Sequence, residues 1–319
     1  MTESAAFRLV MMGTGPFAAP LMRELCVSRH PVVALVTQPL RSTRPGAAPT
    51  TNPLREIAAV HHTPVFDPEN INTDESRRML TDLAADLFIV ADYGQILSRE
   101  TLQTARLGGI NLHGSLLPKY RGAAPINWAI YHGDPETGVT VIHMTPRIDA
   151  GPLLAQARTA INPAETAVDL ERRLSELGAP LVLQAIDDLA AGRAAALPQD
   201  ASQVSPARRL RKTDGAIDWS RSAAAINNQI RAFEPWPRTY TTWQRSDQPP
   251  LRIILGRSAP SAVPATSSPG TVQRAGEELM VATGDGTLQI FELQPAGKRM
   301  LSAAEFLNGY RVQAGQRFE

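Results

Sequence analysis

The chain has 319 residues, 43% hydrophobic and 20% charged, which suits one large or two medium packed domains and excludes a disordered chain. A single cysteine, Cys26, excludes a disulfide scaffold or a cysteine-built metal site and points to a reducing compartment. The formal net charge of +1 hides an asymmetry: residues 206–319 carry fifteen Lys+Arg against ten Asp+Glu, and the rest is net acidic. A basic second part suits a polyanionic partner, the plainer alternative being unevenly spread surface charge. No run of about 18 apolar residues predicts a membrane span. The first ten residues lack the basic start of a signal peptide, so a cytoplasmic protein is expected.

Residues 8–13 form a short apolar run ending in glycine, and 16–28 follow with helical spacing. Between them, residues 13–18 (GTGPFA) match a dinucleotide-binding glycine fingerprint. That reading needs an acidic residue at the end of the next strand to hold ribose hydroxyls. No Asp or Glu occurs between Glu24 and Glu56, and Pro16 removes a backbone N–H from the turn. A tight strand-to-helix turn is therefore expected, with no NAD. Residues 31–37 (PVVALVT), 86–91 (DLFIVA) and 109–112 (GINL) read as buried parallel strands. Helical segments at 52–60 and 73–84 alternate with them, predicting a doubly wound, mostly parallel α/β sheet. His61 and His62 read as a solvated loop pair, and no cluster with ligand spacing argues for a metal.

The densest polar stretch is residues 111–128, NLHGSLLPKYRGAAPINW, at the end of a predicted strand. Carboxyl ends of strands are where open α/β sheets hold ligands. Asn111 and His113 stand two apart and share one face of that strand. An amide that donates to an oxyanion beside an imidazole that handles a proton suits acyl transfer; a strand-end cap is the bland alternative. The apolar run 138–144 (GVTVIHM) is expected to bring Asp149 to the same edge, where a carboxylate orients the imidazole and collects a proton. The alternative for Asp149 is a turn-forming residue ahead of Gly151. Asn162, Pro163 and Glu165 then open another helix.

The pattern changes after about residue 192. Residues 196–212 are polar, with Pro and Arg, and read as a linker between a domain at 1–195 and another at 213–319. Within the second, 220–232 reads as a helix. Strand-like runs follow at 238–244, 251–256, 270–274, 279–282 and 287–293, with a hairpin turn at 283–286 and a loop at 259–269. A small, barrel-like β domain is expected.

The 111–128 stretch resembles the signature of the formyltransferases that use 10-formyltetrahydrofolate. Residues 11–18 (MMGTGPFA), 90–97 (VADYGQIL), 215–220 (GAIDWS), 230–237 (IRAFEPWP) and 282–298 extend the resemblance nearly end to end, and the C-terminal segments narrow it to the methionyl-tRNA formyltransferase family. The resemblance implies formyl transfer to the α-amino group of methionyl initiator tRNA, for translation initiation. It places catalysis on Asn111, His113 and Asp149. Folate contacts fall on Ser115, Leu116, Leu117, Pro118, Tyr93, Gly94 and Ile96. It implies a C-terminal open β-barrel, OB-like, that binds tRNA. Arg208, Arg209, Arg211 and Lys212 at the entry of that domain, and Lys298 and Arg299 in a later loop, are expected from their charge to meet tRNA phosphates, the plainer alternative being solvated surface charge. The basic loop that meets the acceptor stem falls on 38–52, which keeps Arg41 and Arg44 but has no lysine. Asp92 stands where many members carry a small apolar residue. A monomer is expected. Two rival readings are a same-fold formyltransferase acting on an amino sugar or other small amine, and a non-catalytic RNA- or folate-binding module.

Overall fold

The computed structural model describes residues 6–40, 52–245 and 248–319. The predicted apolar runs form strands β1 (Leu9–Gly13), β2 (Val32–Val36), β3 (Val65–Phe66), β4 (Leu87–Ala91) and β5 (Gly109–His113). Helices α1 (Ala19–Val27), α2 (Pro53–Val60), α3 (Asp74–Asp82) and α4 (Arg99–Leu102) lie between them in sequence. Each of the last three starts on a side-chain cap, from Asn52, Thr73 and Ser98. β4 and β1 are buried throughout, which explains their unbroken apolar sequence.

A short parallel pair joins β6 (Arg121–Gly122) to β9 (Pro206–Ala207), with α5 (Pro125–His132), β7 (Glu136–His143), β8 (Leu153–Ala160) and α6 (Ala167–Ala190) between them in the chain. Seven strands make one sheet in the order β3-β2-β1-β4-β5-β7-β8. β3, β2, β1, β4 and β5 are parallel; β7 runs antiparallel to β5, and β8 to β7. The strand order reverses between β1 and β4, where such sheets open a crevice at their carboxyl ends. Val10, Met12, Phe88 and Val90 bury one face against Ile71, Leu80 and Leu97. Each such side chain contributes roughly 1.5–3 kcal/mol by leaving water.

The chain divides into two compact units, Met1–Pro125 with Glu136–Ala160 and Leu170–Arg208, and Ile126–Pro135 with Ile161–Asp169 and Arg209–Glu319. This differs from a divide after residue 195 with a linker to 212. Most of that segment is built into the first unit: Leu197 and Leu153 exchange both backbone hydrogen bonds, and β9 pairs with β6. The aromatic face of α5 joins the second unit, where Tyr131 stacks on Phe233 and Trp128 meets it edge-on.

In the second unit, α7 (Ala223–Ala232) is followed by β10 (Thr239–Gln244), β11 (Leu251–Leu255), β12 (Ser258–Ser261), β13 (Val272–Ala275), β14 (Leu279–Ala282), β15 (Thr287–Ile290), β16 (Glu292–Pro295), β17 (Leu301–Ser302), α8 (Ala303–Tyr310) and β18 (Arg317–Phe318). The strands form two antiparallel sheets, β17-β16-β11-β10-β18 and β12-β15-β14-β13. A bridge between Thr271 and Arg317 ties their edges. Trp219, Ile226, Trp243, Ile253, Val281, Leu293 and Phe306 share one core. The start of the expected loop at 259 is strand β12, paired with β15. Among the described residues no helix is long and apolar enough to cross a membrane, and no group of three or more His, Cys, Asp or Glu is placed to hold a metal ion.

Candidate active site

Parallel pairing sets Asn111 beside Val90 of β4, and antiparallel pairing sets it beside Ile142 of β7. Asn111 and Ile142 line a cavity of about 150 Å³ with Val90, Tyr93, Gly94, Ile96, Met144 and the 145–149 loop. A cavity needs only about 10–15 Å³ by the same measure to hold one water, so this one admits a ring system. The Asn111 carboxamide has no hydrogen-bond partner among the described residues and stays available to whatever enters.

His113, the last residue of β5, is buried. Its Nε2 lies 2.9 Å from the carbonyl of Tyr120. A carbonyl only accepts, so Nε2 carries a proton and donates it. The nitrogen left to exchange a proton is Nδ1, which faces Asp149 Oδ2 at 3.5 Å. That carboxylate oxygen also accepts the Gly122 N–H at 2.9 Å. Asp149 sits at φ 49°, a left-handed conformation that Asp tolerates better than most residues. The sheet edge thus brings together all three residues singled out for catalysis.

Two glycines make the closeness possible. A Cβ on Gly151 would lie 1.7 Å from the His143 carbonyl, so the turn after Asp149 presses directly on β7. Gly122 has φ 126°, and a Cβ there would meet the Ala207 carbonyl at 2.5 Å.

The residues expected to hold folate divide into two groups. Tyr93, Gly94 and Ile96 line the cavity. Burial pushes the Tyr93 phenol up, and its buried hydroxyl has no partner among the described residues. An unpaired buried donor in a cavity wall suits a ligand that presents an acceptor. Ser115, Leu116, Leu117 and Pro118 do not line this cavity; their polar groups hold the loop after β5 in shape. Ser115 Oγ donates to the Lys119 carbonyl, and Thr140 Oγ1 donates to the Ser115 carbonyl while accepting the Leu117 N–H. Gln156 donates to the Leu117 carbonyl. The loop so held carries the Tyr120 carbonyl to His113.

The glycine fingerprint has a packing cause. A Cβ on Gly13 would meet the Ala91 carbonyl at 2.8 Å and Ala18 at 2.9 Å. A Cβ on Gly15 would collide with Asp92, which accepts the Gly15 N–H. Asp92 keeps exposed surface, yet the protein around it disfavours its charged form and pushes its pKa up to about 6. Glu171, on α6, is raised to about 7 by burial and by the Asp92 charge. Sequence reasoning missed this carboxylate pair, as no spacing links residues 92 and 171.

In the second unit Lys298 and Arg299 are exposed, in the turn after β16. Arg299 donates to Glu305 at 2.7 Å. Arg208, Arg209, Arg211 and Lys212 are exposed as well. Arg41 and Arg44 lie outside the described residues.

Comparisons with known proteins give the family. Residues 7–186 match the formyl transferase family, and 209–311 its C-terminal domain. A methionyl-tRNA formyltransferase of Rhodopirellula baltica is 43% identical over 98% of this chain and 96% of its own length. The chain belongs to the methionyl-tRNA formyltransferase family. Another member, from Methylococcus capsulatus, is 41% identical over 97% of this chain and 99% of its own. Among solved structures, the sugar 3N-formyl transferase WlaRD superposes with a TM-score of 0.67 over 92% of this chain and all of its own, at 16% identity. HypX from Aquifex aeolicus, solved with tetrahydrofolic acid, gives 0.64 over 97% of this chain and 48% of its own, at 14% identity. At such identities these two share the family's fold. In this chain Asn111 and His113 stand in β5, and Asp149 stands in the loop after β7 that lines the cavity.

Proposed function

We propose that this chain transfers the formyl group of 10-formyltetrahydrofolate to the α-amino group of methionyl initiator tRNA, with Asn111, His113 and Asp149 as its catalytic residues. The observation that carries the site assignment is the meeting of the Asn111 amide with the His113–Asp149 pair at the cavity edge. Folate as co-substrate supplies a formyl group already activated for transfer. The apolar wall of Val90, Ile142 and Met144, with the unpaired Tyr93 hydroxyl, fits its flat heteroaromatic ring.

The amine attacks the formyl carbon and forms the new C–N bond, and the bond from that carbon to N10 breaks. The attacking nitrogen loses one proton and N10 gains one, so the step is balanced. Negative charge gathers on the formyl oxygen as the amine attacks. Asn111 donates to that oxygen from a preorganised position, an arrangement typically worth about 10²–10³ in rate. Protonated on both nitrogens, His113 adds positive charge beside it, and the Asp149 carboxylate at 3.5 Å stabilises that imidazolium. The Tyr120 carbonyl keeps Nε2–H engaged, so proton exchange falls to Nδ1 and Asp149. Lys298, Arg299 and the cations at 208–212 meet tRNA phosphates, with Arg41 and Arg44 at the acceptor stem. The protein works as a monomer in the cytoplasm.

Formylation assays with charged initiator tRNA, free methionine and an amino sugar as acceptors test this reading. Turnover with the charged tRNA alone is expected. Preferred turnover of the amino sugar would replace the tRNA substrate with a small amine, and no turnover of any acceptor would leave a binding module.

A further inference from the structure

We infer that Gln199 is a positioning residue for this reaction: its side-chain amide holds the Asp149 turn where the carboxylate can serve His113. The inference rests on the catalytic reading given above. It concerns a residue 50 positions away in sequence, inside a stretch that reads as a linker.

Gln199 Nε2 donates to the Asp149 carbonyl at 2.8 Å and to the Gly151 carbonyl at 2.7 Å. Its Oε1 accepts from Arg121 twice, from Nε at 3.0 Å and from Nη2 at 2.6 Å. Both amide protons and both oxygen lone pairs are therefore engaged. The orientation is fixed as well, because carbonyls only accept and a guanidinium only donates. A flipped amide would set oxygen against two carbonyls and NH2 against a cation.

The clamp joins the two loops that build the site. One is the 145–149 loop, which lines the cavity and ends on Asp149. The other holds Tyr120, Arg121 and Gly122: Tyr120 orients His113, and Gly122 donates to Asp149. Gln199 is itself anchored on both sides. Leu197 pairs with Leu153 two residues before it, and Asp200 caps the short helical turn 201–203 directly after it. Ser205 then binds Tyr120 N–H through its hydroxyl and Arg121 N–H through its carbonyl. A left-handed residue with a working carboxylate needs its backbone held, since release of the turn lets the side chain swing from His113. Groups that orient a working side chain in this way change activity about 10–100-fold when removed, in the comparable case of metal-site outer shells.

Two variants separate this role from general loop support. Gln199→Glu keeps an acceptor for Arg121 but turns an oxygen toward the two carbonyls. Gln199→Met keeps the length and removes every bond. Formylation of methionyl initiator tRNA by the full chain should fall 10–100-fold in kcat for each variant, with KM for the tRNA within twofold and the melting temperature little changed. In an Asp149→Asn background, Gln199→Met should cost no more than twofold further, because Gln199 acts through the carboxylate. Wild-type kcat in Gln199→Glu, or losses that multiply in the double variant, would overturn the inference. A readout independent of turnover is the imidazole ¹⁵N spectrum of the chain's six histidines. Gln199→Met should move the His113 signals although no hydrogen bond joins the two side chains. Unmoved His113 signals would overturn the positioning role even for a chain that forms no formylated tRNA, whereas absent turnover with moved signals would strike only the substrate assignment.

Discussion

Replacing Asp149 by Asn isolates charge from shape. Asn fits the same volume, tolerates φ 49°, and its side-chain oxygen can still accept the Gly122 N–H. What disappears is the negative charge 3.5 Å from His113 Nδ1. Two unit charges about 4 Å apart interact by about 4 kcal/mol at an effective dielectric constant near 20. If most of that charge pair exists in the transition state, its loss lowers the rate by roughly 10²–10³-fold, at about 1.4 kcal/mol per decade. Asp149→Ala should fall further, since it also gives up the Gly122 bond and places alanine in a left-handed conformation costing about 1–2 kcal/mol. Single-turnover formylation measures the rate, and thermal melting confirms that Asp149→Asn folds. A folded Asp149→Asn enzyme within tenfold of the wild-type rate would refute the argument that this carboxylate stabilises a charged imidazole.

Gly151→Ala sets a methyl 1.7 Å from the His143 carbonyl, so β7 or the turn must move. A loss of about 1–3 kcal/mol of stability, read by denaturant unfolding, and a matching fall in turnover are expected. Asp92→Asn tests the perturbed carboxylate through stability. Because its folded pKa of about 6 exceeds the ordinary 3.8, the folded state holds that proton more tightly than the unfolded chain does. The stability conferred by the protonated form is complete below about pH 4 and is lost as pH rises through about 6. The variant should therefore melt higher than wild type at pH 8 and equally at pH 4; equal melting at pH 8 would count against a strained charge there. Neutralising Lys298 and Arg299 together should weaken tRNA binding and flatten its dependence on salt, without changing the affinity for a folate analogue. Arg44→Ala should lower tRNA formylation more than folate binding.

Much of the site was legible before any fold was known, because the relevant geometry is local. Residues two apart in a strand share a face, so Asn111 and His113 had to face one side of β5. Buried apolar runs of five or so residues identified the central strands, and their carboxyl ends located the crevice. Asp149 followed from the apolar strand that precedes it. Tertiary structure decided what depends on partners distant in sequence. The Tyr120 carbonyl engages Nε2 of His113 and leaves Nδ1 toward Asp149, and no residue type records a carbonyl's direction. The 115–118 segment serves the loop after β5, because Thr140 and Gln156 on β7 and β8 claim its polar groups. The polar stretch after residue 195 looks like a linker since its side chains are mostly exposed, while its place in the first unit rests on backbone pairing and one amide. Helix α5 shows the same limit: its aromatic residues announce burial, and only packing against Phe233 decides in which unit. Periodicity reports which side chains avoid water. Which groups meet across 50 or 78 residues, as Gln199 does with Asp149 and Arg121, depends on how the buried faces assemble.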